Sequence, residues 1–145
     1  MITRDLQEFF SVAEDCTAVT PACAQAVFMV SPEGFRLAEQ SATDNHYMHM
    51  SASVDAAAAY AEHRALQAAI RGFLPVICFP GDAETPDAVF PNNVFAVTPA
   101  HVLIGHMRHP VRQREAARED IRRFFTETLG RTPIDLGAQP GICEL

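Results

Sequence analysis

The sequence predicts a single α/β domain. Three observations carry this expectation. Short apolar runs alternate with two segments of helical periodicity. The runs "NVFAV" (93–97) and "HVLIGH" (101–106) are separated only by "TPA", a link short enough for a hairpin. A chain of 145 residues suffices for one compact core and not for two ordinary domains. Crossovers together with a hairpin mix parallel and antiparallel pairing, so a mixed sheet is expected.

Composition narrows the function. Hydrophobic residues make up 48 % and charged residues 20 %, a globular and not a disordered balance. No apolar run approaches the roughly 18 residues that span a bilayer, so no membrane partner is expected. The N-terminus, "MITRDLQEFFSVAED", carries acids where a secretory signal would have an apolar core, and the expected location is cytoplasmic. A net charge of −7 argues against a nucleic-acid partner, because phosphate attraction needs a basic face. All eleven basic residues are arginine. Codon bias is the plain reading, and selection for bidentate anion forks cannot rest on composition. The four cysteines, Cys16, Cys23, Cys78 and Cys143, form no C-x-x-C pair, so free thiols are expected. Cys78, in "PVICFP", reads as a small core residue.

Residues 1–25 read as an N-terminal extension. The first strand is expected at "AVFMV" (26–30). The clearest helix follows from about Ser53 to Arg71, with Ser51 or Ser53 as its cap and Gly72 as its stop. Its many alanines predict close packing against another element. "PVICF" (75–79) is the second strand, and "NVFAV" with "HVLIGH" the hairpin. A second helix is expected after Pro110, running to about Leu129 and ended by Gly130. Ala117, Ile121, Phe124, Phe125 and Leu129 give it an apolar stripe. Arg114, Arg118 and Arg122 recur every four residues beside Glu115, Glu119 and Asp120, the pattern of a salt-bridged, solvated face. "TPIDL" (132–136) closes the series, and "ICEL" could begin another strand.

Chemistry is most visible in "PDAVFPNNVFAV" (86–97). Val89, Phe90, Val94, Phe95 and Val97 look like a buried strand, yet Asp87, Asn92 and Asn93 stand among them. A buried carboxylate needs a cationic partner, internal or bound. The competing reading makes Asp87 an exposed turn residue. Arg112, in the first turn of the helix after Pro110, could grip a carboxylate with its guanidinium fork, or simply face solvent. His46 with His49, and His106 with His109, have spacings that two metal ligands could share. No acid completes a known pattern such as H-E-x-x-H, so no metal is expected.

Order and distance add to these signals. "PDAVFPNNVFAV" followed by "VLIGHMRHPVRQREAAREDI", with "VFMVSPEGFRLAEQSATDNHYM" upstream, resembles the guanidino-group-modifying superfamily. Its members include arginine deiminases, dimethylarginine dimethylaminohydrolases and amidinotransferases. The "PNN" form is most similar to the amidinotransferase-like, citrulline-related branch. The resemblance covers about residues 26–129. It implies a partial five-bladed α/β propeller of about two ββαβ-type blades. It implies a small guanidino compound such as arginine as substrate, and no cofactor. Asp87 would grip the substrate guanidinium, Asn93 would face the substrate, and Arg112 would hold its α-carboxylate. Dimethylarginine dimethylaminohydrolases have acids where this chain has Asn92 and Asn93. The family's nucleophilic cysteine and catalytic histidine lie beyond the matched segment, and neither Cys143 nor any histidine here matches them. The expectation is an N-terminal part of a longer enzyme, inactive alone. The alternative is a non-catalytic binding module, a half-propeller that forms a homo-oligomer by covering its open sheet edges.

Overall fold

The computed structural model describes residues 23–43, 49, 51, 53–138 and 140–144, with residues 5, 7 and 11 besides. Most of the N-terminal extension, Cys16, His46 and the rest of "DNHYM" lie outside the described residues. Two small sheets organise what is described, not a closed propeller. In the first, β1 (Val27–Val30) pairs in parallel with β2 (Val76–Phe79), Val27 opposite Val76. In the second, β4 (His101–Ile104) is central. It pairs antiparallel with β3 (Phe95–Val97) and parallel with β5 (Thr132–Asp135). This is the expected mixed sheet with its hairpin. The "ICEL" segment contributes one bridge, Cys143 to His106, and not a strand.

A cluster of rings joins the sheets. Phe28 of β1 meets Phe79, Phe95 and Phe125 edge to face, with centroids 6.1, 6.1 and 5.2 Å away. Val30, Val94, Val102, Ile104 and Ile121 are fully buried around it. Each contributes about 1.5–3 kcal/mol by leaving water.

Two helices lie between β1 and β2. The short α1 (Glu39–Ala42) is followed by the long α2 (Ala56–Arg71). The cap of α2 is Asp55, not Ser51 or Ser53: its carboxylate accepts from Ala58 N at 2.9 Å. Gly72 ends the helix as expected. The expected tight alanine packing does not occur, and Ala57 and Ala61 are exposed. The line turned inward is Ala59, His63, Gln67 and Ile70, and only Gln67 is fully buried. Its amide lies 3.0 Å from His63 Nδ1 and donates to Cys78 Sγ at 3.3 Å. The helix is therefore fastened to β2 by polar side chains.

"PDAVFPNN" is not a strand. Pro86–Val89 and Pro91–Asn93 are two 3₁₀ turns, each with proline at its start, and β3 begins only at Phe95. Proline supplies a fixed φ and lacks the N–H that a strand ladder would need. The second helix is also not continuous. It divides into α3 (Pro110–Ala116), α4 (Glu119–Arg123) and a π-type turn, Phe124–Thr128. Arg118 between α3 and α4 is extended, with ψ 105°. It donates to Pro80 O at 2.8 Å and pairs with Asp120, a tertiary tie that competes with helix continuation. Glu119 and Asp120 then place negative charge at the new helix start. Gly130 ends the segment with φ +63°. The arginine row is paired but is not the expected solvated helix face: only Arg118 pairs within the segment, with Asp120, while Arg114 reaches Glu84 and Arg122 reaches Asp135.

Candidate functional site

The two 3₁₀ turns lie against the start of α3, and this junction gathers the polar residues that the sequence singled out. The loop after β1 closes over its side. Gly34 takes φ +73°, and a side chain there would come within 2.5 Å of Ala83 backbone. Gly81 N donates to Ser31 Oγ at 3.1 Å and to Glu33 Oε2 at 2.9 Å. These contacts hold residues 31–36 against 80–85, next to the chain entering the first turn.

Asp87 is buried, 3 % exposed, so the exposed-turn reading does not hold. Its Oδ2 accepts a short hydrogen bond from Ser41 Oγ and lies 3.9 Å from Arg112 Nη1. Arg112 is 7 % exposed. Its Nη1 donates to Asp87 O at 2.9 Å, and its Nη2 reaches Phe90 O at 3.4 Å. One guanidinium thus spans the carbonyls of the first turn. Burial is tolerable because the charge is divided among fixed oxygens.

Glu115, one helical turn further on, is 2 % exposed. Arg112 Nε lies 3.3 Å from Glu115 Oε2, yet neither carboxylate oxygen has a hydrogen-bond partner. The pair is a Coulombic contact without alignment. Burial pushes the Glu115 carboxyl up to about 8; Arg112 opposes the rise, Asp87 adds to it, and Arg118 opposes it more weakly. Asn92 and Asn93 lie on the second turn and are both exposed. The Asn93 residue is open to solvent, while its backbone N donates to Phe90 O at 3.3 Å, the same carbonyl that Arg112 Nη2 reaches.

Sequence reasoning missed Ser41 and gave Glu115 no role beyond the face of the helix. Glu115 had a signal in its spacing of three from Arg112. Ser41 had none, since it lies 46 positions from Asp87. Among the described residues, no group of His, Cys, Asp and Glu could hold a metal ion. His49, His106 and His109 belong to no such group, and His46 lies outside the described residues. No described cysteine thiol hydrogen-bonds a histidine. The Cys78 thiol donates to Phe79 O at 3.6 Å, and burial raises it. Cys143 meets His106 through backbone bonds. No helix among the described residues is long and apolar enough to cross a membrane.

Comparison with known proteins supplies the class to which this turn–hairpin–helix unit belongs. A family model described as N,N dimethylarginine dimethylhydrolase, eukaryotic, matches residues 31–135. The chain belongs to this family, within the guanidino-group-modifying superfamily. No curated protein matches it. Among solved structures, it is similar to a dimethylarginine dimethylaminohydrolase from Pseudomonas aeruginosa, a mutant complexed with citrulline. Identity is 21 % and the TM-score 0.62, covering 84 % of this chain and 45 % of that one. It is also similar to a mutant of AgrE in complex with L-arginine, at 18 % identity and TM-score 0.59, covering 83 % of this chain and 17 % of that one. The N-terminal domain of ArgZ, an arginine dihydrolase from Cyanobacteria, matches at 21 % identity and TM-score 0.56, covering 78 % and 40 %. These likenesses relate the fold to the five-bladed α/β propeller superfamily. The chain spans less than half the length of these structures.

Proposed function

We propose that the chain forms the substrate-receiving part of a hydrolase or amidinotransferase that acts on a guanidino compound such as arginine. Asp87, Asn93 and Arg112 are the substrate contacts in this reading. The supporting observation is the Asp87–Arg112 pair: an acid and an arginine, both buried, on opposite sides of the turn–helix junction. Ligands in the related structures, citrulline and L-arginine, are amino acids with a planar nitrogen-rich head. Asp87 offers a carboxylate to the cationic end of such a molecule, Arg112 a guanidinium to its carboxylate, and Asn93 an exposed amide to its edge.

In the complete enzyme, a cysteine thiolate absent from this chain would attack the guanidinium carbon. The C–N bond would break as ammonia or an amine leaves, and water or an acceptor amine would resolve the intermediate. A histidine would carry the proton to the leaving nitrogen. Two blades of the propeller would lie in this chain.

Calorimetric titration with L-arginine, citrulline and L-lysine tests the reading. Arginine should bind more tightly than lysine, which has the charge but not the planar head. Asp87→Asn should weaken arginine on the order of a hundredfold, about 2.8 kcal/mol at 1.4 kcal/mol per factor of ten. Equal binding of arginine and lysine would sink it. A citrulline or ammonia assay of the 145-residue chain should show no turnover, since no described cysteine thiol has a hydrogen-bonded histidine to serve as its base.

A second reading has its own observation. Phe28, Ile77, Val97, Phe124 and Leu129 line an open groove of about 580 Å³ that runs across both sheets. In this reading a second copy of the chain covers the groove, and the protein is a self-assembling binding module.

A further inference from the structure

We propose that Ser41 is a positioning residue for Asp87, and that Gln40 and Ser41 together latch α1 onto both halves of the substrate cluster. The inference rests on the reading of Asp87 as a substrate contact.

Helix α1 has four residues, and its N-cap residue Ala38 offers no side-chain cap. A helix this short does not persist on local bonds alone, so tertiary contacts must hold it. Two consecutive side chains supply them. Gln40 Oε1 accepts from Val111 N at 3.2 Å, 71 positions away. Val111 N belongs to the first turn of α3, where amides have no partner within the helix. His109, the N-cap residue of α3, provides no side-chain cap. Gln40 therefore caps α3 from a distant part of the chain.

Ser41 Oγ donates to Asp87 Oδ2. The same oxygen lies 3.9 Å from Arg112 Nη1, beyond hydrogen-bond reach. Two groups thus compete for one carboxylate oxygen, and the hydroxyl holds it. Without Ser41 the nearest donor to Oδ2 is the Arg112 guanidinium. The carboxylate would turn toward it and close a direct ion pair. Asp87 and Arg112 would then satisfy each other and withdraw from a ligand with a positive and a negative end. Ser41 keeps the acid and the arginine near each other without a direct hydrogen bond between their side chains.

Three variants and two measurements test this. Ser41→Ala should weaken L-arginine binding about tenfold with little change in melting temperature, and Ser41→Thr, which keeps the hydroxyl, should restore it. The carboxyl carbon NMR signal of Asp87 in the ligand-free protein should move in Ser41→Ala and not in Ser41→Thr. Gln40→Ala should speed hydrogen exchange at the Val111 amide. An unmoved Asp87 signal, or affinity that stays unchanged in Ser41→Ala, would overturn the positioning role. Absence of arginine binding by the parent protein would instead remove the functional reading, while the NMR signal would still decide whether Ser41 fixes Asp87.

Discussion

Arg112 Nη1 donates to the backbone carbonyl of Asp87 at 2.9 Å, across 25 positions of sequence. This bond makes the turn and the helix start one unit. Each half carries a charge that the other half makes tolerable, so changes in either half should be felt in both.

Arg112→Ala should therefore be among the most damaging single changes. It would leave the Asp87 carboxylate buried without its cation, and the loss of one partner from a buried pair costs about 3–5 kcal/mol. Chemical denaturation should show a loss of this size. A change below about 0.5 kcal/mol, usual for a surface arginine, would contradict the geometry.

Glu115 sets a pH dependence. Its carboxyl titrates at about 8 in the fold, above the ordinary value of 4.5. Between these values the native state holds a proton that the unfolded chain has lost. Stability should be full below about pH 4.5, fall as pH rises through the window, and reach a floor above about pH 8. Glu115→Gln should remove that slope and be more stable than the parent at pH 9. Melting curves of both proteins from pH 5 to pH 9 check it, and identical slopes would exclude Glu115 as the source.

Asn93 tests charge complementarity with little risk to the fold, because it is exposed. Asn93→Asp should tighten arginine binding by about tenfold, since a charged acceptor adds roughly 1.4 kcal/mol to a guanidinium hydrogen bond. Calorimetry at low salt would show this. Weaker binding in the variant would place Asn93 outside the guanidinium's reach.

The open groove between the sheets predicts self-association. Val97 is 44 % exposed and Leu129 40 %, both at its edge. Sedimentation should show concentration-dependent oligomers, and Val97→Lys with Leu129→Lys should shift them toward monomer. A parent protein that stays monomeric across a wide concentration range would remove the self-assembly reading.

The α/β class, the positions of five strands, the hairpin and the likeness to the superfamily were legible in the sequence. These rest on local signals, namely short β-rich runs, a three-residue link, and motif order along the chain. The sequence also drew attention to Asp87, because a charge in an apolar run is costly and needs a partner, and to Arg112, because it stands in the first turn of a helix. That they are neighbours, and that Ser41 bonds the Asp87 oxygen nearest Arg112, emerges only in the folded chain. Partners 25 and 46 positions apart leave no periodic trace. The break at Arg118 was hidden for the same reason. The helical pattern runs through it without a proline or glycine, and the bond to Pro80 O that competes with continuation comes from 38 positions away. The 3₁₀ turns were written locally in Pro86 and Pro91, but the apolar residues around them also fit a strand. What separates the two is the absence of a neighbouring ladder at that point, and pairing is a property of the assembled sheet, not of the segment.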